Sequence, residues 1–180
     1  MRIISGKLKG RKITAPNNLP IRPTTDLAKE SLFNILNNQF HFSNLNVLDL
    51  CAGMGNISYE FASRGVEQII AVDENIGCTK FIQKISNELN LPITVIKSDL
   101  FKFLENTTQQ FDIIFADPPY AFNQSQFDAI INLVFQNKLL LDDGVLIIEH
   151  SKNTDLSNHS NFINVRRYGG SYFSFFEKLT

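Results

Sequence analysis

The chain has 180 residues, of which 43% are hydrophobic and 16 are phenylalanine, so it can bury the core of one ordinary domain but has no room for a second large one. Its formal net charge of -1 excludes a uniformly cationic nucleic-acid binder, and any such binding must depend on where the charges lie. The sequence has neither an apolar leader nor a run of about 18 apolar residues, so we expect a cytoplasmic protein without a membrane anchor.

The N-terminal segment is strongly basic and predicts a β-hairpin. Its positive residues, with no acidic residue among them, are Arg2, Lys7, Lys9, Arg11 and Lys12. Two short extended pieces, residues 2–5 and 11–14, flank a connector with glycine at both ends, which is typical of a hairpin. We expect Lys7, Lys9, Arg11 and Lys12 to contact the phosphates of a nucleic acid. The alternative is a solvated, disordered N-terminus.

A proline-containing loop then leads into the first predicted helix. Residues 15–23 hold three prolines and two asparagines, and we place a boundary here between an N-terminal extension (1–23) and the main domain (24–180). Thr24 or Thr25 can cap a helix that reaches about Asn37. Arg22, Thr24 and Thr25 either border a substrate pocket or merely cap this helix, and both interpretations stay open.

From residue 46 onward the sequence alternates between strands and helices. We predict strands at residues 47–50, 68–72, 93–96, 111–116 and 144–149, and helices at 57–64, 76–89 and 125–135. Short apolar strands rich in β-branched residues are typical of a parallel sheet that helices cover on both faces. Residues 162–165 and 172–176 predict a closing antiparallel hairpin, with Gly169 and Gly170 supplying positive φ angles.

The loop after the first of these strands predicts a nucleoside site. Gly53 and Gly55 allow a ligand to approach the backbone closely at the carboxyl end of the strand. Cys51 stands where a dinucleotide fingerprint has its first glycine, and the third glycine is absent, so the loop does not require a pyrophosphate. We interpret Cys51 itself as a small core residue rather than a reactive thiol.

Acidic residues follow three successive strands. Asp73 can accept hydrogen bonds from both ribose hydroxyls, and Asp99 can accept from the adenine amine while Leu100 covers the ring. Asp49 either accepts from an ammonium group or orients the loop. The alternative is that these residues only cap helices and turns. Acidic strand ends suit a nucleoside with a cationic tail, such as S-adenosylmethionine. The predicted cofactor residues are Asp49, Cys51, Gly53, Gly55, Asn56, Asp73, Asp99 and Leu100.

The tetrapeptide Asp117-Pro118-Pro119-Tyr120 carries the most specific signal for chemistry. Two prolines end the preceding apolar strand and leave carbonyl groups facing outward. The Asp117 carboxylate and the Pro118 carbonyl can hold the two N–H groups of a base amine and stabilise the positive charge that develops on its nitrogen. Tyr120 can stack on the base, and Phe122 can help to cover it. The alternative is a proline turn that merely ends a strand.

In this order, the two motifs resemble those of class I methyltransferases that act on amines in nucleic acids. The N-terminal residues 2–6, 9–12 and 22–26 are closely similar to the bacterial 16S ribosomal RNA guanine-N2 methyltransferase family, and the likeness covers nearly the whole chain. The resemblance implies a Rossmann-like fold, S-adenosylmethionine as cofactor, and a guanine N2 in an assembled or assembling small ribosomal subunit as substrate. It also implies catalysis by Asp117 to Tyr120 without a metal. We expect the protein to act as a monomer.

Two departures from the family pattern stand in the cofactor site. Asp73 occupies a position where the family usually has Glu, and Met54 stands where Ser is common. Neither change removes a required function. Two other functions remain open: methylation of adenine N6 in DNA or another RNA, and a binding protein that has lost catalysis, which the intact tetrapeptide disfavours. The few Cys and His residues show no ligand spacing, so we expect no disulfide framework and no metal site.

Overall fold

A seven-stranded sheet forms the centre of the part of the chain that this computed structural model describes, residues 1–16 and 24–179. Its strands are Asn46–Leu50 (β1), Gln68–Asp73 (β2), Ile93–Lys97 (β3), Phe111–Ala116 (β4), Leu140–His150 (β5), Phe162–Tyr168 (β6) and Ser171–Glu177 (β7). The helices are Asp26–Gln39 (α1), Asn56–Ser63 (α2), Ile76–Leu89 (α3), Leu100–Asn106 (α4) and Gln124–Gln136 (α5), with a 3-10 turn at Phe42–Asn44.

The order of the strands places a ligand crevice in the middle of the sheet. The order is β3-β2-β1-β4-β5-β7-β6, with β1 to β5 parallel and β7 antiparallel to both of its neighbours. The chain winds outward from β1 to β3 and then returns to place β4 on the other side of β1. Such a reversal leaves a crevice at the carboxyl ends of the strands, where ligands bind in open α/β sheets. The predicted doubly wound α/β fold is confirmed.

Two apolar layers hold the helices on the sheet. Side chains of β1 alternate between them: Val47 packs toward α1, α2 and α3, whereas Leu48 and Leu50 pack toward α4 and α5. This alternation follows from the two-residue period of a strand. Because both faces are covered, the central strands are mostly apolar, as the sequence indicated.

Most predicted elements are confirmed within one or two residues, but three differ more, among them β6, which ends at Tyr168 rather than at Val165. No helix was predicted after Asp99, yet α4 begins at Leu100 with Asp99 as its N-cap. Strand β5 begins at Leu140 rather than at Gly144, because Leu140 pairs with Phe111 before a bulge restores the register. In the closing hairpin Gly169 has a φ of 63°, whereas Gly170 is not among the residues with positive φ.

The N-terminal hairpin is present and packs on α2. Arg2 and Lys12 form an antiparallel bridge, and Ile3 and Ile13 are buried in the core. Backbone N–H groups of Ile4 and Ser5 donate to the Glu60 carboxylate at 2.8 and 3.0 Å. These contacts fix the segment against the domain, so within residues 1–16 the disordered alternative does not hold. None of the helices described is long and apolar enough to cross a membrane.

Candidate active site

A cavity of about 610 Å³ opens at the carboxyl ends of β1 to β4. It brings together most residues that the sequence assigned to the cofactor and to catalysis. Those in its wall are Asp49, Cys51, Gly53, Asn56, Asp73, Asp99, Leu100, Asp117, Pro118, Pro119, Tyr120, Thr24 and Phe122. Five of the described wall residues are Asp or Glu and none is Lys, Arg or His. A cavity of this size with an acidic wall suits a cationic ligand of nucleoside size.

The loop between β1 and α2 turns sharply through left-handed conformations. Cys51, Gly53 and Gly55 have φ values of 56°, 55° and 80°. At Cys51 the backbone adopts a conformation that favours glycine, although the residue carries a side chain. Burial, and then the nearby charges of acidic residues, raise the pKa of the Cys51 thiol well above its usual value. A thiol that stays protonated is a poor nucleophile, which supports its interpretation as a packing residue.

Gly55 lies outside the described cavity wall. Packing explains why a glycine occupies this position. A Cβ atom there would come within 2.8 Å of the Tyr59 ring and 3.1 Å of Ile82. Its role as a direct cofactor contact stays a prediction.

Asp49 joins the end of β1 to the first turn of α2, on either side of the loop. Its side chain is buried and accepts hydrogen bonds from the backbone N–H of Ser58, at 3.0 Å, and from the Ser58 hydroxyl. Burial raises the pKa of Asp49 to about 7, against the opposing effect of these hydrogen bonds. Of the two roles considered for Asp49, orientation of the loop is the one that these contacts support.

Asp73 ties the ends of β1 and β2 together and still faces the cavity. One carboxylate oxygen accepts from Gly53 N–H and the other from Asn75 N–H, each at 2.8 Å. A carboxylate oxygen has two lone pairs, so each keeps one for a ligand hydroxyl. Burial raises the pKa of Asp73, and the two backbone donors act against that rise.

The residues after β3 form the opposite wall. Asp99 accepts from Lys102 N–H at 3.0 Å as the N-cap of α4, so the capping interpretation of Asp99 is correct, and the residue also lines the cavity. The Phe101 ring stacks on the Phe122 ring at 5.9 Å between centroids and 11° between planes. Phe101 was missed by sequence analysis, because nothing in its local pattern shows which way its ring points.

The tetrapeptide after β4 leaves the sheet at the floor of the cavity. Asp117 N–H donates to Leu50 O at 3.3 Å, and Phe122 N–H donates to Pro119 O at 2.9 Å, which closes a turn. Pro118 is buried and Tyr120 is 70% exposed. Burial, then the charges of Glu149 and Asp49, raise the pKa of the Asp117 carboxyl well above its usual range.

Thr24 links the entrance of α1 to this floor. Its hydroxyl donates to Glu149 Oε2 at 2.7 Å, and its carbonyl accepts from Asn56 Nδ2 at 3.0 Å. The helix cap is Thr25, whose side chain accepts from Ala28 N–H. Thr24 therefore borders the cavity. Sequence analysis did not single out Glu149, because its place beside this site depends on the pairing of β4 with β5.

The basic residues predicted to bind nucleic acid lie outside the cavity. Lys7, Lys9, Arg11 and Lys12 are all exposed on the N-terminal hairpin. Arg22 lies outside the described residues. Within the described parts of the chain, no group of three or more His, Cys, Asp or Glu is placed to hold a metal ion.

Comparison with known proteins identifies the family of this chain. A family model described as "Conserved hypothetical protein 95" matches residues 1–177. The ribosomal RNA small subunit methyltransferase D of Haemophilus influenzae is 30% identical over 167 residues, covering 90% of this chain and 84% of the relative.

Solved structures share the architecture. A candidate methyltransferase, yhhF, of Escherichia coli superposes with a TM-score of 0.85 at 27% identity, over 99% of this chain and 97% of that one. The Thermus thermophilus 16S rRNA N2 G1207 methyltransferase, solved with AdoMet and guanosine, has a TM-score of 0.70 at 22% identity, over 87% of this chain and 44% of that one. At that identity the second likeness supports the fold alone. The chain therefore belongs to the methyltransferase family whose model is described as Conserved hypothetical protein 95, and it has the class I methyltransferase fold.

Proposed function

We propose that this protein transfers a methyl group from S-adenosylmethionine to the exocyclic N2 amine of a guanine in the 16S rRNA of the small ribosomal subunit. The observation that carries the proposal is the position of Asp117 to Tyr120. The tetrapeptide follows β4 directly and lines the same acidic cavity as Gly53 and Asp73. One cavity thus holds both the acceptors for an amine and the predicted nucleoside contacts.

The cavity fits S-adenosylmethionine in charge and in its polar contacts. Its described wall carries acidic side chains without a basic one, which suits a sulfonium and an ammonium group. Asp73 offers acceptors for the ribose hydroxyls, and Asp99 and Leu100, which line the same cavity, are assigned to the adenine. When bound, the cofactor supplies a methyl group that is already activated by the positive sulfur.

The protein's own residues orient the base and accept its protons. The Asp117 carboxylate and the Pro118 carbonyl receive the two N–H groups of the amine, which directs the nitrogen lone pair toward the methyl donor. The exposed ring of Tyr120 provides a surface on which the base stacks. The amine becomes acidic only after methylation, so Asp117 needs no unusual basicity to take up the released proton.

The RNA backbone contacts are assigned to the N-terminal extension, residues 1–23, attached to the catalytic domain, residues 24–180. The exposed cations Lys7, Lys9, Arg11 and Lys12 suit phosphate contacts that position the substrate without reading its sequence. The target guanine must leave its stack to reach Asp117, which favours an accessible loop nucleotide. The small-subunit rRNA activity in the Haemophilus relative's name supports this substrate.

The deciding experiment is transfer of labelled methyl from S-adenosylmethionine to unmodified small ribosomal subunits, followed by nucleoside analysis of the RNA. We expect N2-methylguanosine at one site. Naked 16S rRNA in parallel shows whether the assembled subunit is required. If subunits are not labelled but another nucleic acid yields N6-methyladenosine, the amine chemistry survives and the ribosomal guanine assignment is wrong. Absence of transfer to any nucleic acid would reject the proposal.

A further inference from the structure

Three acidic side chains occupy neighbouring strands on one face of the sheet. Ala116 pairs with Ile148 in the parallel β4–β5 ladder, so the next residues, Asp117 and Glu149, stand side by side. Adjacent strands lie about 4.8 Å apart, and paired residues of parallel strands project to the same face. Asp49 pairs with Phe115, two residues before Asp117, and therefore also shares this face.

Glu149 is enclosed behind the cavity wall. It is only 3% exposed, and it pairs with the fully buried Phe173 of β7. Its Oε2 atom accepts from the Thr24 hydroxyl at 2.7 Å. Burial raises the pKa of Glu149, and the Ser171 and Thr24 side chains oppose that rise. Thr24 lines the cavity whereas Glu149 is absent from its described wall, so Glu149 can act on a bound base only through its neighbours.

No described cation is placed to neutralise this acidic group. The groups that face Asp117 are Asp49 from β1, Glu149 from β5 and the neutral Cys51 thiol, and the described cavity wall has no Lys, Arg or His. The buried Lys29 on α1 donates to Arg2 O and Asn56 Oδ1 and lies 3.5 Å from Glu60. The contacts of Lys29 are with the N-terminal hairpin and α2 instead.

We propose that Glu149 is a positioning residue that shares one proton with Asp117 and thereby sets the pH above which Asp117 is an ionised acceptor for the target amine. Glu149 is buried and Asp117 is partly buried, so ionisation of one carboxyl group opposes ionisation of the other, and the two titrate as a pair. The Thr24 hydroxyl donates to Glu149 and favours its ionised form. In the free protein the shared proton therefore lies mainly on Asp117. The proton sharing between Glu149 and Asp117 does not depend on the proposed function, whereas the role of Asp117 as an acceptor for the amine does.

The pairing is tested on the free protein by following the side-chain carboxyl ¹³C resonances of Asp117 and Glu149 as a function of pH. Glu149→Gln removes the neighbouring negative charge and keeps the shape of the side chain. We expect the titration midpoint of Asp117 to fall by about one pH unit or more. Asp112→Asn, at the far end of β4 and about 16 Å away, is the matched control and leaves that midpoint unchanged. An Asp117 midpoint that does not move in Glu149→Gln overturns the proposal.

Thr24→Val provides a second test that keeps both carboxyl groups. Without the hydroxyl donor the proton moves toward Glu149, so the midpoint of Glu149 rises and that of Asp117 falls. Midpoints that shift together, or not at all, contradict proton sharing. If Glu149→Gln does not fold, this variant decides alone.

Activity gives an independent readout. The acid limb of the kcat/KM profile of Glu149→Gln for small subunits is expected to move to lower pH, whereas a purely structural role would lower kcat/KM equally at every pH. If subunits prove not to be methylated, the proposed substrate fails, while the carboxyl titration still decides whether the two residues share a proton.

Discussion

The Nζ atom of Lys29 lies 3.5 Å from Oε2 of Glu60, and both side chains are almost completely buried. Lys29 also donates to Arg2 O at 2.6 Å, and Glu60 accepts from the backbone of Ile4 and from Arg64. This ion pair therefore joins α1, α2 and the N-terminal hairpin at one point. Burial lowers the pKa of Lys29, and the nearby Glu60 carboxylate opposes that change.

Lys29→Met is expected to reduce the free energy of unfolding by about 3 kcal/mol, because it leaves the Glu60 carboxylate buried with one partner fewer. Denaturant unfolding measures the loss. Lys84→Met is the control: Lys84 forms an exposed i,i+4 pair with Glu88, and removing such a pair costs about 0.5 kcal/mol or less. Equal effects of the two substitutions would show that the buried pair has no special importance.

Gly6→Ala should detach the N-terminal hairpin from α2. Gly6 has a φ of 82°, and a Cβ there would overlap the Ser63 carbonyl group. Gly10→Ala is the matched control, since its φ is 83° but nothing lies within 4 Å of the added Cβ. We expect Gly10→Ala to cost about 1 kcal/mol through backbone strain alone. Gly6→Ala should cost more and should speed hydrogen exchange at Lys7 and Leu8, whose N–H groups bond to Ser63. Equal exchange in both variants would contradict the packing argument.

Asp49→Asn should change how stability depends on pH. In the folded protein the pKa of Asp49 is raised to about 7, above its value of about 3.9 in an unfolded chain. Between these values the folded state holds a proton that the unfolded chain has lost, so this group makes stability fall by up to about 1.4 kcal/mol per pH unit as pH rises. Asparagine still accepts from Ser58 and carries no charge.

The stability of Asp49→Asn relative to the unchanged protein should therefore be greatest at pH 8 and should decrease toward pH 4. Chemical denaturation across this range makes the comparison. A difference between the two proteins that is the same at every pH would show that Asp49 titrates normally.

Asp117→Ala should abolish methyl transfer and leave S-adenosylmethionine binding largely intact. Losing a group that stabilises developing charge lowers kcat by about a hundredfold or more. Calorimetry gives the cofactor affinity and a single-turnover assay gives the rate. Asp142→Ala is the control, because Asp142 is exposed and pairs with Lys178. We expect this variant to keep the methyl-transfer rate of the unchanged protein. Undiminished turnover in Asp117→Ala would reject its catalytic assignment.

Reversing charge at Lys7 and Lys9 should weaken binding to small-subunit RNA chiefly at low salt. Each lost phosphate contact reduces the slope of log K against log salt by about 0.7 to 0.9, so the double variant loses roughly 1.5 from that slope. Lys80→Glu combined with Lys84→Glu makes the same charge change on the exposed surface of α3. If both double variants lose the same slope, only net charge matters and the hairpin is not the contact surface.

The sequence determined the elements and the two motifs, because both are local. Strand β4 is predicted with its observed bounds, since a short apolar β-branched run next to two prolines has few other structures open to it. Helix α4 was not predicted, because Asp99 was interpreted mainly as a ligand contact and capping was only the alternative. An N-cap and a ligand contact both require a side chain that accepts hydrogen bonds, so the local sequence cannot distinguish the two roles of an aspartate.

The tertiary structure decided which distant groups meet. Lys29 has the pattern of an ordinary helix residue, and its burial depends on Glu60, which is 31 positions away. Glu149 stands beside Asp117 only because β4 and β5 pair in one register. A shift of one residue would turn Glu149 to the other face of the sheet. Register is fixed by packing across the whole sheet, so the partners of the Asp117 carboxylate follow from the fold and not from the motif.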